Sequence, residues 1–404
     1  MKILEDLQAL SRDQRATFLA SVLGWSLDAF DYFLMAFAVH PIALEFQVPD
    51  VDVFFAISLT LIFRPVGALV FGWLADRYGR RPVLMSNVLL FSFFSVASAF
   101  SPNLATLLVM RALFGFAMGG EWGIGASLVM ESIPAGSRGT VSGILQQGYP
   151  LGYLLASVVF GLFYGWLGWR GMFLMGVLPA LLVVYIRMSV KESPVWRQQR
   201  ARVERTSMTA AFVRHWRTFL YVILLMTAFN LLSHGTQDVY PTFLKTQHGL
   251  SHWTAGAITT TMNVGAIIGG ITFGFYSQRI GRRRAIVIAA LMVLPVIPLW
   301  AFAATPLWLG VGAFLLQIPV QGAWGVIPAH LNELSPAEIR GTFPGFAYQL
   351  GNLLASSCAV VQGQIARSHG GNYGLALASV AGVAAVSIVV MTLCGREAKE
   401  IVLE

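Results

Sequence analysis

Residues 72–82 read GWLADRYGRRP and residues 274–284 read GFYSQRIGRRR, two versions of one loop set 202 positions apart. The same spacing carries Trp122 and Gly123 onto Trp324 and Gly325, and Glu131, Pro134, Arg138, Gly139 and Thr140 onto Glu333, Pro336, Arg340, Gly341 and Thr342. A constant offset over so many positions implies one structural unit written twice.

The surrounding sequence decides what the unit is. Of 404 residues, 56% are hydrophobic and only 11% charged, and the mean hydropathy is +0.68, which no soluble globular class matches. A membrane-spanning helix needs about 20 apolar residues, and the chain offers twelve such runs: 17–40, 53–75, 83–101, 104–131, 140–165 and 169–187, then 218–243, 252–277, 285–304, 307–333, 342–366 and 373–394. Between the two sets of six lies KESPVWRQQRARVERTSMTAAFVRHWR, 191–217, the only long polar stretch. The reading is therefore an all-α membrane protein with twelve transmembrane helices in two pseudo-symmetric six-helix halves. Residues 1–190 form the first half, 191–217 a cytoplasmic linker and 218–404 the second half.

The net charge of +8 does not point to nucleic acid. Of 27 Lys and Arg residues, 22 fall on the side that holds both termini, three on the other side and two, Arg64 and Arg111, within spans. The positive-inside rule then puts both termini in the cytoplasm of a multi-pass protein of the cell membrane. The first 16 residues, MKILEDLQALSRDQRA, read as a charged amphipathic segment ahead of a full span rather than a cleavable signal. Cys358 and Cys394 give neither a disulfide framework nor a metal-ligand spacing.

Polar side chains inside a bilayer are expensive and mark substrate or ion paths. The segment NLLSHGTQDVYPT, 230–242, has Asn230, His234 and Asp238 at i, i+4 and i+8 with Ser233 and Gln237 at i+3 and i+7, so one helix face is expected to carry all five. At about 1.5 Å per residue, Asp28, Asp31, Arg64, Glu121, Asn230, Gln349 and Asn352 fall about 10 to 20 Å from the cytoplasmic helix ends, a shared layer near mid-membrane.

Arg64 suits a carboxylate, which a guanidinium grips in bidentate fashion. The alternative is a permanent ion pair with Asp28 or Asp31, and the two states can alternate: an Asp neutralises Arg64 in the empty carrier, then takes a proton and releases it to the anion. Asp28 and Asp31 are three apart on one face, and close carboxylates rarely ionise together, which suits the pair to carrying a proton. Glu121 either joins them or braces Arg64. His234 ordinarily titrates near neutrality and is a candidate at the substrate site; Asp238 one turn on can orient its ring and, lying nearer the outer face, suits an outward gate or a proton entry step. Gln349, Asn352 and Asn230 offer donors and acceptors for a hydroxyl or keto oxygen, and Tyr149, Tyr153 and Tyr348 close the cavity or simply pack. Asp76, Arg77, Arg80, Arg81, Glu131 and Arg138, with Arg279, Arg282, Arg283, Glu333 and Arg340, are expected to form two charge clusters that hold a gate. Asp76 maps to Gln278, which predicts a weaker latch in the second copy.

GWLADRYGRR resembles the loop signature between helices 2 and 3 of the major facilitator superfamily, and the copy at 274–283 stands where that family has its second. Arg111, Gly115 and Gly119 resemble the family's helix 4 pattern, which implies a second anion contact or a proton-path role for Arg111. NLLSHGTQDVYPT resembles the helix 7 signature of lactate and pyruvate permeases in the sialate:proton symporter group, agreeing at Asn230, Ser233, His234, Thr236, Gln237, Asp238 and Thr242. GWSLDAFDYF, 24–33, is similar to that group's helix 1 pattern.

The resemblance implies a proton-coupled symporter of monocarboxylates such as lactate or pyruvate, working by alternating access. The second reading is the same machine moving a larger acid, sialic or aromatic. The expected partners are a small organic acid, protons as coupling ion and the bilayer, with no metal, no other cofactor and no nucleic acid, and the chain is expected to act as a monomer. A sugar facilitator has little use for Arg64 among carboxylates. No HExxH, G-x-S-x-G or P-loop supports an enzyme.

Overall fold

A computed structural model describes residues 2–202, 207–399, 401 and 403. Residues 203–206 of the linker and 400, 402 and 404 of the second half lie outside the described residues. Among those described, every regular element is helical. That is the expected solution for an apolar chain in lipid, where backbone N–H and C=O groups have to bond within their own segment.

The first half contains α1 (Arg12–Phe46), α2 (Asp50–Tyr78), α3 (Arg80–Ala99) and α4 (Leu104–Ser132). Next, α5 begins as Arg138–Gln146 and resumes at Gly148; at Gly168, φ 59° and ψ −176°, it breaks into α6, which ends in Leu178–Ser189. The second half contains α7 (Trp216–Gln237), α8 (His252–Ile280), α9 (Arg282–Phe302), α10 (Pro306–Leu334), α11 (Phe343–Ala355 with Cys358–Ser368) and α12 (Tyr373–Cys394). The starts of α2, α3 and α4 recur in α8, α9 and α10 at the same spacing of 202 that relates the sequences.

Ten helical stretches among the described residues are long and apolar enough to cross a membrane. The count differs from the expected twelve spans for two physical reasons. Ala135–Ser189, 55 residues long, holds both α5 and α6, and α11 is interrupted at Ser356 and Ser357, which leaves two pieces each too short to qualify. The linker carries the short helices Pro194–Arg202 and Met208–Arg214.

Large apolar side chains such as Phe93, Leu162, Leu181 and Val383 point outward, as a lipid-facing surface requires. Inside, α2 packs on α4, α8 on α10 and α1 on α5. Contacts between the halves are exchanged: the start of α5 lies against α8 and α10, and α11 lies against α2 and α4. Small residues permit this approach. A Cβ on Gly123 would fall 2.6 Å from the Cα of Gly345, so the two backbones meet across the seam.

Candidate functional site

Arg64 is 2% exposed, and among the described residues its guanidinium has neither a hydrogen bond nor an ion pair; Nε and Nη2 are buried without a partner. Gly119 on α4 brings that helix against the Arg64 backbone carbonyl, fixing the height at which Arg64 projects. The carboxylates of Asp28, Asp31 and Glu121 are also buried and unpartnered. Glu121 Oε1 points at Gly24 on α1, one turn before Asp28. The charges of Glu121, Arg64 and Asp31 all act on Asp28, while that of Arg111 acts on Asp31. The buried carboxylates and Arg64 thus come from α1, α2 and α4, and among the described residues no ion pair joins them to Arg64.

Arg111 neighbours Asp31 rather than Asp28. It is fully buried, donates from Nε and Nη2 to Ser98 Oγ at 3.1 and 2.8 Å, and lies over the rings of Phe114 and Phe173 at 4.3 and 4.6 Å. Desolvated cation–π contacts of this kind hold a guanidinium firmly.

The polar face of α7 divides. Successive residues turn by about 100°, so i+3 and i+4 neighbours diverge to opposite sides of residue i. His234 faces α11, with Nε2 2.8 Å from Asn352 Oδ1 and Nδ1 2.9 Å from Asp238 Oδ2. Asn230 instead donates to the Met226 carbonyl of its own helix. Ser233 and Gln237 face α10, where Gln317 and Gln321 meet them. Sequence reading overlooked these two glutamines, although QIPVQ, 317–321, sets them four apart in an apolar run. Gln349 is buried with both amide atoms unpartnered.

A cavity of about 210 Å³ lies between the halves. Phe33, Tyr149, Pro150 and Tyr153 form its first-half wall; Gln237, Asp238, Pro241, Thr259, Met262, Asn263, Ala266 and Gln321 form the other. Of the residues expected to bind substrate or close the cavity, Tyr149 and Tyr153 line it, joined by Asp238; Arg64, Asn230, His234, Tyr348, Gln349 and Asn352 do not. Tyr348 packs against Trp122 and Trp324, the tryptophans related by the repeat, with ring centroids 4.8 and 5.6 Å away. It closes the seam rather than walling the cavity.

Both charge clusters form on the Arg-rich side. Arg80 is bidentate to Glu131 at 3.0 and 3.3 Å and pairs with Asp76 at 2.9 Å. Arg282 repeats the fork on Glu333 at 2.9 and 3.0 Å. Across the seam, Asp76 accepts from the N–H groups of Gly341 and Thr342 and from the Thr342 hydroxyl. Gln278, in the matching place, accepts the Gly139 N–H at 3.0 Å. Arg138 reaches the Ile401 carbonyl at 2.7 Å and lies 3.9 Å from Glu333, and the Arg340 carbonyl accepts from Ser127. Arg77 lies over the rings of Trp73 and Tyr78, and Arg279 over Phe275; each projects away from its cluster.

Two further carboxylates escaped sequence reading. Glu192 accepts the backbone N–H groups of Arg80 and Arg81, and Glu397 those of Arg282 and Arg283, so each caps the helix after the loop. Their spacing is 205 rather than 202, which hides them from a search at constant offset.

The yeast Saccharomyces cerevisiae has a "Carboxylic acid transporter protein homolog" that is 28% identical over 86% of this chain, which spans 61% of that protein. A "Probable 4-methylmuconolactone transporter" of Cupriavidus pinatubonensis is 31% identical, with 90% of this chain and 86% of the relative covered. The sialic acid transporter NanX of Escherichia coli is 27% identical, with 91% of each chain covered. Among solved structures, the proton:xylose symporter XylE superposes with a TM-score of 0.81 over 97% of this chain and 98% of its own, at 20% identity, which speaks for the fold alone. The family profile described as Major Facilitator Superfamily matches residues 21–357 and 235–401. The duplicated loop, the exchanged packing of the halves and this match lead to one conclusion: the chain is a multi-pass membrane transporter, not an enzyme, and belongs to the Major Facilitator Superfamily.

Proposed function

We propose that this protein is a proton-coupled symporter of small organic anions that works by alternating access as a monomer, with the Arg-rich loops and both termini in the cytoplasm. The observation that carries the proposal is Arg64: among the described residues, its buried guanidinium has no hydrogen bond or ion pair, and it stands beside the carboxylates of Asp28 and Glu121, which have none either. An unpaired buried charge costs several kcal/mol, on the order of 3 to 5, and a carboxylate ligand supplies the missing partner in bidentate form. A proton on Asp28 or Glu121 removes a negative charge that would repel that ligand beside Arg64, so anion and proton enter together. The cavity lies beside the first half of α8, away from the Arg-rich loops that the gate clusters close, which corresponds to access from outside.

A monocarboxylate such as lactate or pyruvate is the first reading, supported by the helix 7 sequence and by the carboxylic acid transporter homologue. A larger acid is the second, favoured by the Phe33, Tyr149 and Tyr153 wall and by relatives named for 4-methylmuconolactone and sialic acid. The deciding experiment is uptake of radiolabelled L-lactate into proteoliposomes with and without an inward proton gradient, competed by pyruvate, sialic acid and benzoate. Gradient-driven accumulation blocked only by short acids supports the first reading. Competition by the larger acids with no lactate uptake supports the second, and no acid bound or moved refutes both.

A further inference from the structure

The segment that follows α12 does not stay with its own half. Glu397 accepts the N–H groups that open α9, Ala398 is 1% exposed in the apolar cluster that fills the second half, and Lys399 Nζ donates to the Arg279 carbonyl at 3.3 Å. The chain then crosses the seam. The Ile401 carbonyl accepts from Arg138 Nη1 at 2.7 Å, and Leu403, 6% exposed, packs in an apolar cluster with Leu10, Met130, Ile133, Val141 and Val195.

This pocket belongs to the other side of the molecule. Met130 and Ile133 mark the end of α4, Val141 opens α5 and Val195 stands on the first linker helix. Leu10 follows the short helix Lys2–Gln8, whose Asp6 accepts the Thr140 hydroxyl at 2.6 Å. Arg138 is aimed at the crossing chain because its Nε is spent on the Met130 carbonyl at 3.1 Å. The matching stretch after α6 behaves differently: it stays with its own half, where Trp196 Nε1 donates to the Asp76 carbonyl at 2.9 Å.

The two ends of the crossing are held unequally. The second-half end is continuous with α12 and has the Glu397 cap, whereas the first-half end rests on one guanidinium bond and one leucine side chain. Five residues lead from Ala398 to Leu403, and even fully extended they reach about 17 Å at most. Separation of the halves at the Arg-rich face therefore pulls on the first-half end and draws Leu403 out of its pocket.

We infer that residues 397–403 form a detachable strap, docked by Arg138 and the Leu403 pocket, that holds the Arg-rich side closed and whose release favours the state open on that side. The inference rests on the alternating-access part of the reading above and is independent of which acid is carried. It adds to the Asp76 and Gln278 latches a third that the duplicated plan does not supply.

The test uses the full-length protein in lipid nanodiscs, spin-labelled at Tyr78 and Arg284, with distances read by pulsed electron resonance in the absence of substrate. Leu403→Glu, and separately removal of residues 400–404, are each expected to raise the ratio of the longer-distance to the shorter-distance population by about tenfold or more. Leu403→Met keeps the apolar contact and is expected to match the parent, while Asp76→Asn serves as a reference that weakens a different latch. A parent-like distribution in both strap variants while Asp76→Asn shifts overturns the strap and leaves alternating access standing. A shift in Leu403→Met as large as in Leu403→Glu also overturns it, since lost docking is then not the cause. No longer-distance population in any of these proteins overturns alternating access as well.

Discussion

Asp76 on α2 and Thr342 at the entry to α11 belong to opposite halves, and the Thr342 hydroxyl donates to Asp76 Oδ2 at 2.6 Å. The same carboxylate takes the N–H groups of Gly341 and Thr342 at 2.7 and 3.0 Å, so one ionised side chain collects three donors across the seam. In the matching place Gln278 has one amide oxygen, shared between Gly139 N–H and Arg282. Charge-assisted bonds are roughly twice as strong as neutral ones, so the two latches are unequal.

Asp76→Asn therefore weakens the stronger latch. Loss of about 1.5 to 3 kcal/mol shifts the balance towards the state open at the Arg-rich side by about tenfold or more. Spin labels at the exposed positions Tyr78 and Arg284, read by pulsed electron resonance, should show a longer-distance population in this variant. A distance distribution identical to the parent's removes Asp76 from the gate.

Arg64→Ala is expected to abolish anion binding, by about a hundredfold or more, because the site loses a buried guanidinium that has no hydrogen bond or ion pair among the described residues. Arg64→Lys keeps the charge but not the planar fork and should recover only part of it. Titration of purified protein followed by tryptophan fluorescence measures both. Tight binding retained in Arg64→Ala moves the anion site elsewhere.

Asp28→Asn and Asp31→Asn separate binding from coupling. Exchange of labelled for unlabelled acid across the membrane should persist in at least one variant, while accumulation driven by an acid exterior is lost. Normal gradient-driven accumulation in both variants and in the double variant excludes the pair as proton carriers.

Glu397 gives a pH signature outside the membrane spans. Burial opposes its ionisation, but the backbone N–H groups of Arg283, Lys399 and Arg282 outweigh burial and hold the carboxyl below its ordinary value of 4.5. The folded-state value is the lower one, so this stabilisation is present above about pH 4.5 and is lost as the pH falls further. Thermal unfolding of Glu397→Gln should show a lower midpoint than the parent at pH 7 and a difference that shrinks towards pH 3. A difference that stays constant over that range excludes the ionised cap as its source.

The sequence by itself determined the helical membrane fold, its duplication and which loop residues pair in the two charge clusters. Apolar run length is dictated by bilayer thickness, and the repeat survives as literal identity at Arg80, Glu131, Arg282 and Glu333. Charged residues inside long apolar runs stand out in one dimension, so Asp28, Asp31, Arg64 and Glu121 were legible as candidates as well, and all four are buried. Azimuth and partnership were not. Only the tertiary structure decided that Asn230 turns back to its own helix, that His234 bridges to Asn352 while Gln237 crosses to Gln317, and that Arg111 is sandwiched between two phenylalanines. It also decided that Glu192 and Glu397 cap α3 and α9 from beyond the ends of α6 and α12. These outcomes depend on which side of one helix meets which side of another, and that is set by close packing between segments a hundred or more residues apart rather than by local spacing.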